Sequence, residues 1–128
     1  MPQGDLAVWR IFLERRGRQW REYAYDVELH GGTTPIASVD PALAKDWARL
    51  IAKRVDVVGF RAAGATLFEV RTHAAWQTLG QLIGYRDLFP LDYPDQVLEQ
   101  CVIVSDEMDA GIRRVAENQG LRVWLTSE

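Results

Sequence analysis

Residues 54–72 read RVDVVGFRAAGATLFEVRT, and the fold turns on how this stretch pairs with itself. Two runs rich in β-branched and aromatic residues, 55–60 and 65–72, flank Arg61-Ala62-Ala63-Gly64, a short connection that predicts an antiparallel hairpin. A turn at Ala62-Ala63 makes the numbers of cross-strand partners sum to 125, so Asp56 faces Glu69 and their side chains share one face. Strand alternation adds Arg71 to that face and sends Val55, Val57, Phe68 and Val70 to the other.

Like charges directly opposite each other destabilise a ladder, so this pair of acids needs a cation. A hard divalent ion is one answer: Mg²⁺ is commonly held by one or two carboxylates, with water and substrate phosphate completing its shell. Such an ion polarises a phosphoryl oxygen and lowers the pKa of an attacking water, while Arg71 can fork onto phosphate oxygens. The other answer is an ion-pair cluster at the surface, in which Arg71 and Arg54 neutralise the two acids.

Outward from the hairpin, Asp40-Pro41 supplies an N-cap and a first-turn proline for a helix reaching about Lys53, with Leu43, Trp47, Leu50 and Ile51 facing the core. Residues 73–89 repeat Trp76, Leu79, Leu82 and Ile83 at helical spacing and run into a Pro90 to Pro94 loop. Gln81 and Tyr85, four apart, lie on one side of that helix, either as donors to a phosphate or base or as an ordinary polar edge. A strand at 97–104, a helix capped by Ser105-Asp106-Glu107 with Met108, Ile112 and Val115 inward, a stop at Gly120 and a strand at 121–126 complete the chain. At the N-terminus, residues 6–13 and 20–29 read as a β-hairpin with Arg15, Arg16, Arg18 and Arg21 at its tip. Trp9, Trp20, Tyr23 and Tyr25 make it aromatic enough to suit a partner surface. This order closes as an α/β domain, a mixed β-sheet flanked by helices, because strand-helix-strand units favour parallel pairing.

Residues 54–60, 67–72 and 79–85 together resemble the PD-(D/E)xK nuclease superfamily, especially its RecB-like branch with a helical QxxxY element. Asp56 and Glu69-Val70-Arg71 match its Asp and (D/E)xK positions, and Gln81 and Tyr85 match QxxxY. The resemblance spans roughly residues 40–104. It implies a single domain over 1–128, with a restriction-endonuclease-like core (35–128) behind the N-terminal hairpin (1–34). It further implies Mg²⁺ (or Mn²⁺) on Asp56, Glu69 and the Val70 carbonyl, Arg71 in the catalytic set, DNA on Gln81 and Tyr85, and Asp46 as a loosely matching acid on the preceding helix. One departure stands out: the family's lysine is Arg71 here, which keeps its charge and cannot accept a proton.

Bulk properties bound these expectations. With 128 residues and 48% apolar content the chain suits one domain with its own core. A net charge of −3 does not fit binding of nucleic acid by bulk attraction, so any DNA contact is local. Cys101 is the sole cysteine, which excludes an intrachain disulfide or a cysteine metal cluster and predicts a buried thiol. No stretch approaches a membrane span, and the expected location is the cytoplasm or, for a phage structural protein, the virion. His73 and His30 are too isolated for a histidine metal site, and Gly31-Gly32 lacks the lysine of a phosphate-binding loop. The functions left in play are a metal-dependent DNA nuclease, a catalytically inactive nuclease-fold protein with a structural or interaction role, as in a phage particle or DNA-processing assembly, and a transposon or restriction accessory domain that binds DNA without cutting. Assembly through the aromatic hairpin is the expectation attached to the structural role.

Overall fold

The computed structural model describes residues 1–31 and 53–128. The expected helix from Asp40 and its acid Asp46 lie outside the described residues, and Lys53, placed at that helix's end, instead opens a strand. Strands β1 (Glu22–Leu29), β2 (Lys53–Arg61), β3 (Gly64–Ala74), β4 (Leu98–Met108) and β5 (Arg122–Leu125) form one sheet in the order β1-β2-β3-β4-β5. The first three are antiparallel neighbours, whereas β3-β4 and β4-β5 are parallel. Parallel neighbours require a crossover, supplied by helix α2 (Trp76–Asp92) between β3 and β4 and by α3 (Ala110–Asn118) between β4 and β5. The mixed α/β sheet expected from the sequence is therefore present.

The β2-β3 hairpin turns at Ala62-Ala63 in the expected register: Val57 faces Phe68, Val58 faces Leu67 and Arg61 faces Gly64. Gly64 takes a backbone φ of 139°, which a side chain would resist, and Gly59 has no room for one, since an added Cβ would lie 2.9 Å from both Phe68 and Trp20. Residues 65–70 of β3 are buried without a break because this strand is covered on both faces. Leu67 packs with Leu79, Leu82, Tyr85 and Phe89 of α2, and Phe68 packs with the opposite cluster.

That opposite cluster overturns the expected N-terminal hairpin. Residues 3–16 are a helix, α1 (Gln3–Arg16), and only the second half of the expected hairpin is a strand. Asp5, Val8, Trp9 and Phe12 are its buried residues, and their spacing of three, one and three is that of one helical face. Aromatic and β-branched residues alternating loosely with polar ones favoured a strand reading, but packing against the sheet decides. Trp9, Phe12 and Trp20 surround the Phe68 ring at centroid distances of 5.1, 5.3 and 5.1 Å. The expected aromatic partner surface is thus largely interior, with Trp9 1% and Trp20 8% exposed and Tyr25 outside at 52%. The basic cluster sits where α1 ends rather than at a hairpin tip, and Arg15 donates to the carbonyls of Thr126 and Glu128.

Other boundaries moved for local reasons. His73 belongs to β3 and not to the following helix, and α2 continues past Pro90 because buried Phe89 anchors the turn and its carbonyl accepts from Tyr93 N at 2.9 Å. Ser105-Asp106-Glu107 extends β4; α3 is capped by Asp109, whose Oδ1 accepts from Gly111 N and Ile112 N at 2.8 and 3.2 Å. Ile112 and Ala116 face inward, while Val115 is exposed and Met108 lies in β4. Cys101 is a free, buried thiol whose pKa burial pushes up to about 11. Among the described residues no helix is long and apolar enough to cross a membrane.

Candidate functional site

The regular β2-β3 ladder ends at Val57 and Phe68, one step before the two acids. Across β2, Tyr25 pairs with Val57 and Val27 with Val55, and between them Asp26 adopts a φ of 54°, rare for a residue with a side chain. Alternation in β2 fails at the same level. Val55, expected beside Val57, instead joins Val58 in the α2-side cluster, whereas Val57 stays with Phe68 and Val70. Asp56 sits at this irregularity, where a strand can re-aim a side chain.

The freed geometry lets each acid serve the opposite strand. Asp56 N donates to Glu69 Oε1 at 3.2 Å, and Val70 N donates to Asp56 Oδ2 at 2.9 Å. Arg71 closes the group: Nη1 donates to Asp56 Oδ2 and to the Val70 carbonyl, both at 2.7 Å, and Nη2 donates to Gln81 Oε1 at 3.2 Å. Nη2 also lies 2.9 Å from Glu69 Oε2. Asp56, Glu69 and Arg71, read from the sequence as one constellation, are in direct contact.

Glu69 departs from the surface ion-pair alternative. Its side chain is 1% exposed, against 21% for Asp56 and 29% for Arg71. Burial, then repulsion from Asp56, pushes its pKa up to about 7, and the Arg71 charge only partly offsets this. Oε2 is buried and has the Arg71 guanidinium at ion-pair distance as its only polar neighbour among the described contacts. Burial works against the charge of Arg71, but the Glu69 and Asp56 carboxylates outweigh it and raise its pKa.

Gln81, expected as a donor to a phosphate or base, accepts from Arg71 here, whereas Tyr85 is 8% exposed and packs within the core. Burial, and behind it the Glu69 and Asp56 charges, raise the Tyr85 pKa. Both residues line one surface depression with Lys53, Gly80, Gly84 and Leu88. His73 is exposed and lies 3.2 Å from Glu107.

Asp5 is the site residue that sequence reasoning passed over. It is 8% exposed and its Oδ1 accepts from Thr72 N at 2.8 Å and Thr72 Oγ1 at 3.1 Å, pinning the first turn of α1 to β3 directly after Arg71. Its charge also favours the protonated Arg71. The signal was present in the spacing of Asp5 with Val8, Trp9 and Phe12 once residues 3–16 are read as a helix.

The oxygens that the resemblance assigned to a metal are the Asp56 and Glu69 carboxylates and the Val70 carbonyl. They fit a hard divalent cation by donor type, and the unbonded, buried Glu69 Oε2 is an atom that calls for positive charge. Among the described residues no group of three or more His, Cys, Asp or Glu side chains could hold a metal, so a bound ion would take much of its shell from water and phosphate.

No protein-family model matches the chain, and no curated protein matches it. Solved structures do. A crystal structure of AF1548, a protein of unknown function, aligns with a TM-score of 0.55 at 15% identity, covering 94% of this chain and 55% of the other. The structure of EndoMS in complex with double-stranded DNA aligns with a TM-score of 0.54 at 15% identity, covering 96% of this chain and 44% of the other. The chain thus spans about half the length of each, and what it shares with them is a fold.

Proposed function

We propose that residues 1–128 form one domain of PD-(D/E)xK type, of the RecB-like branch, that hydrolyses phosphodiester bonds in DNA with Mg²⁺ or Mn²⁺. The observation that supports this most is the contact of Asp56, Glu69, the Val70 carbonyl and Arg71 at the irregular end of the β2-β3 hairpin. Its likeness in fold to EndoMS, solved on double-stranded DNA, favours DNA as the partner.

Asp56, Glu69 and the Val70 carbonyl would hold the ion, which when bound supplies a polarised phosphoryl oxygen and a more acidic water. Arg71 stabilises charge building on the phosphoryl oxygens with its planar fork and moves no proton. Gln81, at the rim, orients the DNA backbone, and Tyr85 backs it from the same depression. Asp5 acts through Thr72 by fixing the strand that carries Arg71.

Purified protein with Mg²⁺ or Mn²⁺ is expected to nick or degrade DNA, and Asp56→Ala and Glu69→Ala to lower the rate at least about a hundredfold, as loss of a transition-state charge partner does. A clean preparation inert on linear, branched and single-stranded DNA would overturn the catalytic reading. A second reading, an inactive nuclease-fold module in a virion or DNA-processing assembly, is favoured by one observation: the Arg71 guanidinium sits on an oxygen of each of the three groups that would hold the ion. The catalytic reading places the chain in the cytoplasm, the second one in either the cytoplasm or a particle.

A further inference from the structure

The Arg71 guanidinium touches Asp56 Oδ2, the Val70 carbonyl and Glu69 Oε2 at 2.7, 2.7 and 2.9 Å. These oxygens come from all three groups proposed to hold the metal. From this we infer that Arg71 is a resident cation that closes the acid pair to free divalent ions, and that a DNA phosphate opens the site by drawing the guanidinium away. The inference rests on the proposed metal and DNA chemistry of the same residues and adds an order of events to it.

The physical argument concerns competition. A guanidinium tethered one residue from Val70 and two from Glu69 is present at high effective concentration, so a dissolved ion must displace an intramolecular rival. Two cations cannot share the three oxygens, and moving Arg71 away with nothing in its place leaves the buried Glu69 charge uncompensated. Exchange is therefore favourable only when both cations end up paired. A phosphodiester provides that second partner, because its oxygens match the guanidinium fork and the Arg71 side chain is 29% exposed and within reach of solvent. Gln81, which accepts from Nη2, marks the exit side, since it lines the surface depression on α2. Metal and DNA then bind with positive coupling, each tightening the other by the same factor.

Lysine at this position would not close the site in the same way. A single ammonium is a point donor and cannot span two carboxylates and a carbonyl with two separate nitrogens. Arg71→Lys is thus the conservative variant that separates positive charge from the bridging geometry, and Arg71→Gln removes both.

Mn²⁺ binding measured by electron paramagnetic resonance on the full chain tests the inference without relying on cleavage. Free wild-type protein is expected to bind Mn²⁺ at least about tenfold more weakly than Arg71→Gln, with Arg71→Lys nearer to Arg71→Gln, and the new site in Arg71→Gln should vanish when Asp56→Asn is added. A short duplex with a non-cleavable phosphorothioate backbone should tighten Mn²⁺ binding to wild type at least about tenfold more than binding to Arg71→Gln, whose remaining coupling comes from phosphate in the metal's own shell. Wild-type protein that binds Mn²⁺ without DNA as tightly as Arg71→Gln overturns the closure. Coupling to DNA as large in Arg71→Gln as in wild type overturns the role of the guanidinium. If Arg71→Gln does not fold, Arg71→Lys carries both comparisons, and equal Mn²⁺ affinities for it and the wild type without DNA overturn the proposal. Coupling without any cleavage would sink the nuclease reading alone, whereas cleavage with an open wild-type site would sink this inference alone.

Discussion

Glu69 is a carboxylate held inside the protein with one oxygen bonded to Asp56 N and the other accepting no hydrogen bond, and that imbalance makes its protonation a folding variable. Burial, then Asp56, raises its pKa to about 7 from the ordinary 4.5, so the native state binds a proton more tightly than the unfolded chain. Between those values the unfolded state carries fewer protons, and stability falls as pH rises. Metal-free wild type is therefore expected to lose up to about 3 kcal/mol from this group between pH 4.5 and pH 7, the free-energy equivalent of the shift. Denaturant melts across that window, compared with Glu69→Gln, measure it: the variant should lack this component of the pH dependence, and parallel curves would contradict the burial argument. Asp5 carries a second prediction at this scale. Asp5→Ala leaves Thr72 N without its partner inside the protein, which costs about 1–3 kcal/mol in chemical denaturation, and it should also weaken whatever Arg71 does by loosening its strand.

At the scale of elements, the hairpin was legible and the N-terminal segment was not, and the difference is physical. A turn at Ala62-Ala63 and side-chain alternation are local rules, so the register placing Asp56 near Glu69 follows from a few residues. The break in alternation at Asp56 depends on Asp26 of β1, which precedes it by thirty positions, and no local rule carries it. Burial of Glu69 likewise depends on α2 covering the sheet, which pair spacing does not reveal. Residues 3–16 offered aromatics that suit a strand and a four-residue stripe that suits a helix, and tertiary packing on Phe68 resolved the conflict. This yields a clean discrimination. Trp9, 1% exposed and stacked on Phe12 at 5.1 Å, should cost about 3–5 kcal/mol when replaced by alanine, whereas a tryptophan on an exposed partner surface should cost under about 0.5 kcal/mol. Equilibrium unfolding of Trp9→Ala gives the answer, with Trp76→Ala, at a tryptophan 58% exposed, as the comparison.

At the scale of the whole molecule, charge limits how DNA can be held. The chain carries a net charge of −3, and many of its thirteen arginines are already engaged within the fold. Arg54 pairs with Asp26 and Glu28, Arg61 with Glu99, Arg113 with Glu117 and Glu128, and Arg86 donates to the Gln119 carbonyl. Cations paired in this way release few counterions from a phosphate backbone, and the proposed site itself offers only Arg71, once drawn off its acids, and Lys53 beside the depression, so few phosphates are neutralised there. Each phosphate neutralised contributes about −0.9 to the slope of log K against log salt on duplex DNA, and two or three contacts give a slope near −2 to −3. Titrations of a short duplex between low and physiological salt, in Ca²⁺ to prevent turnover, should show this shallow dependence. Arg71→Gln should reduce its magnitude by roughly one contact. A slope steeper than about −6 would mean that an extended basic surface grips the DNA, and the acid cluster would then be a site that DNA reaches only after it has been captured elsewhere on the molecule.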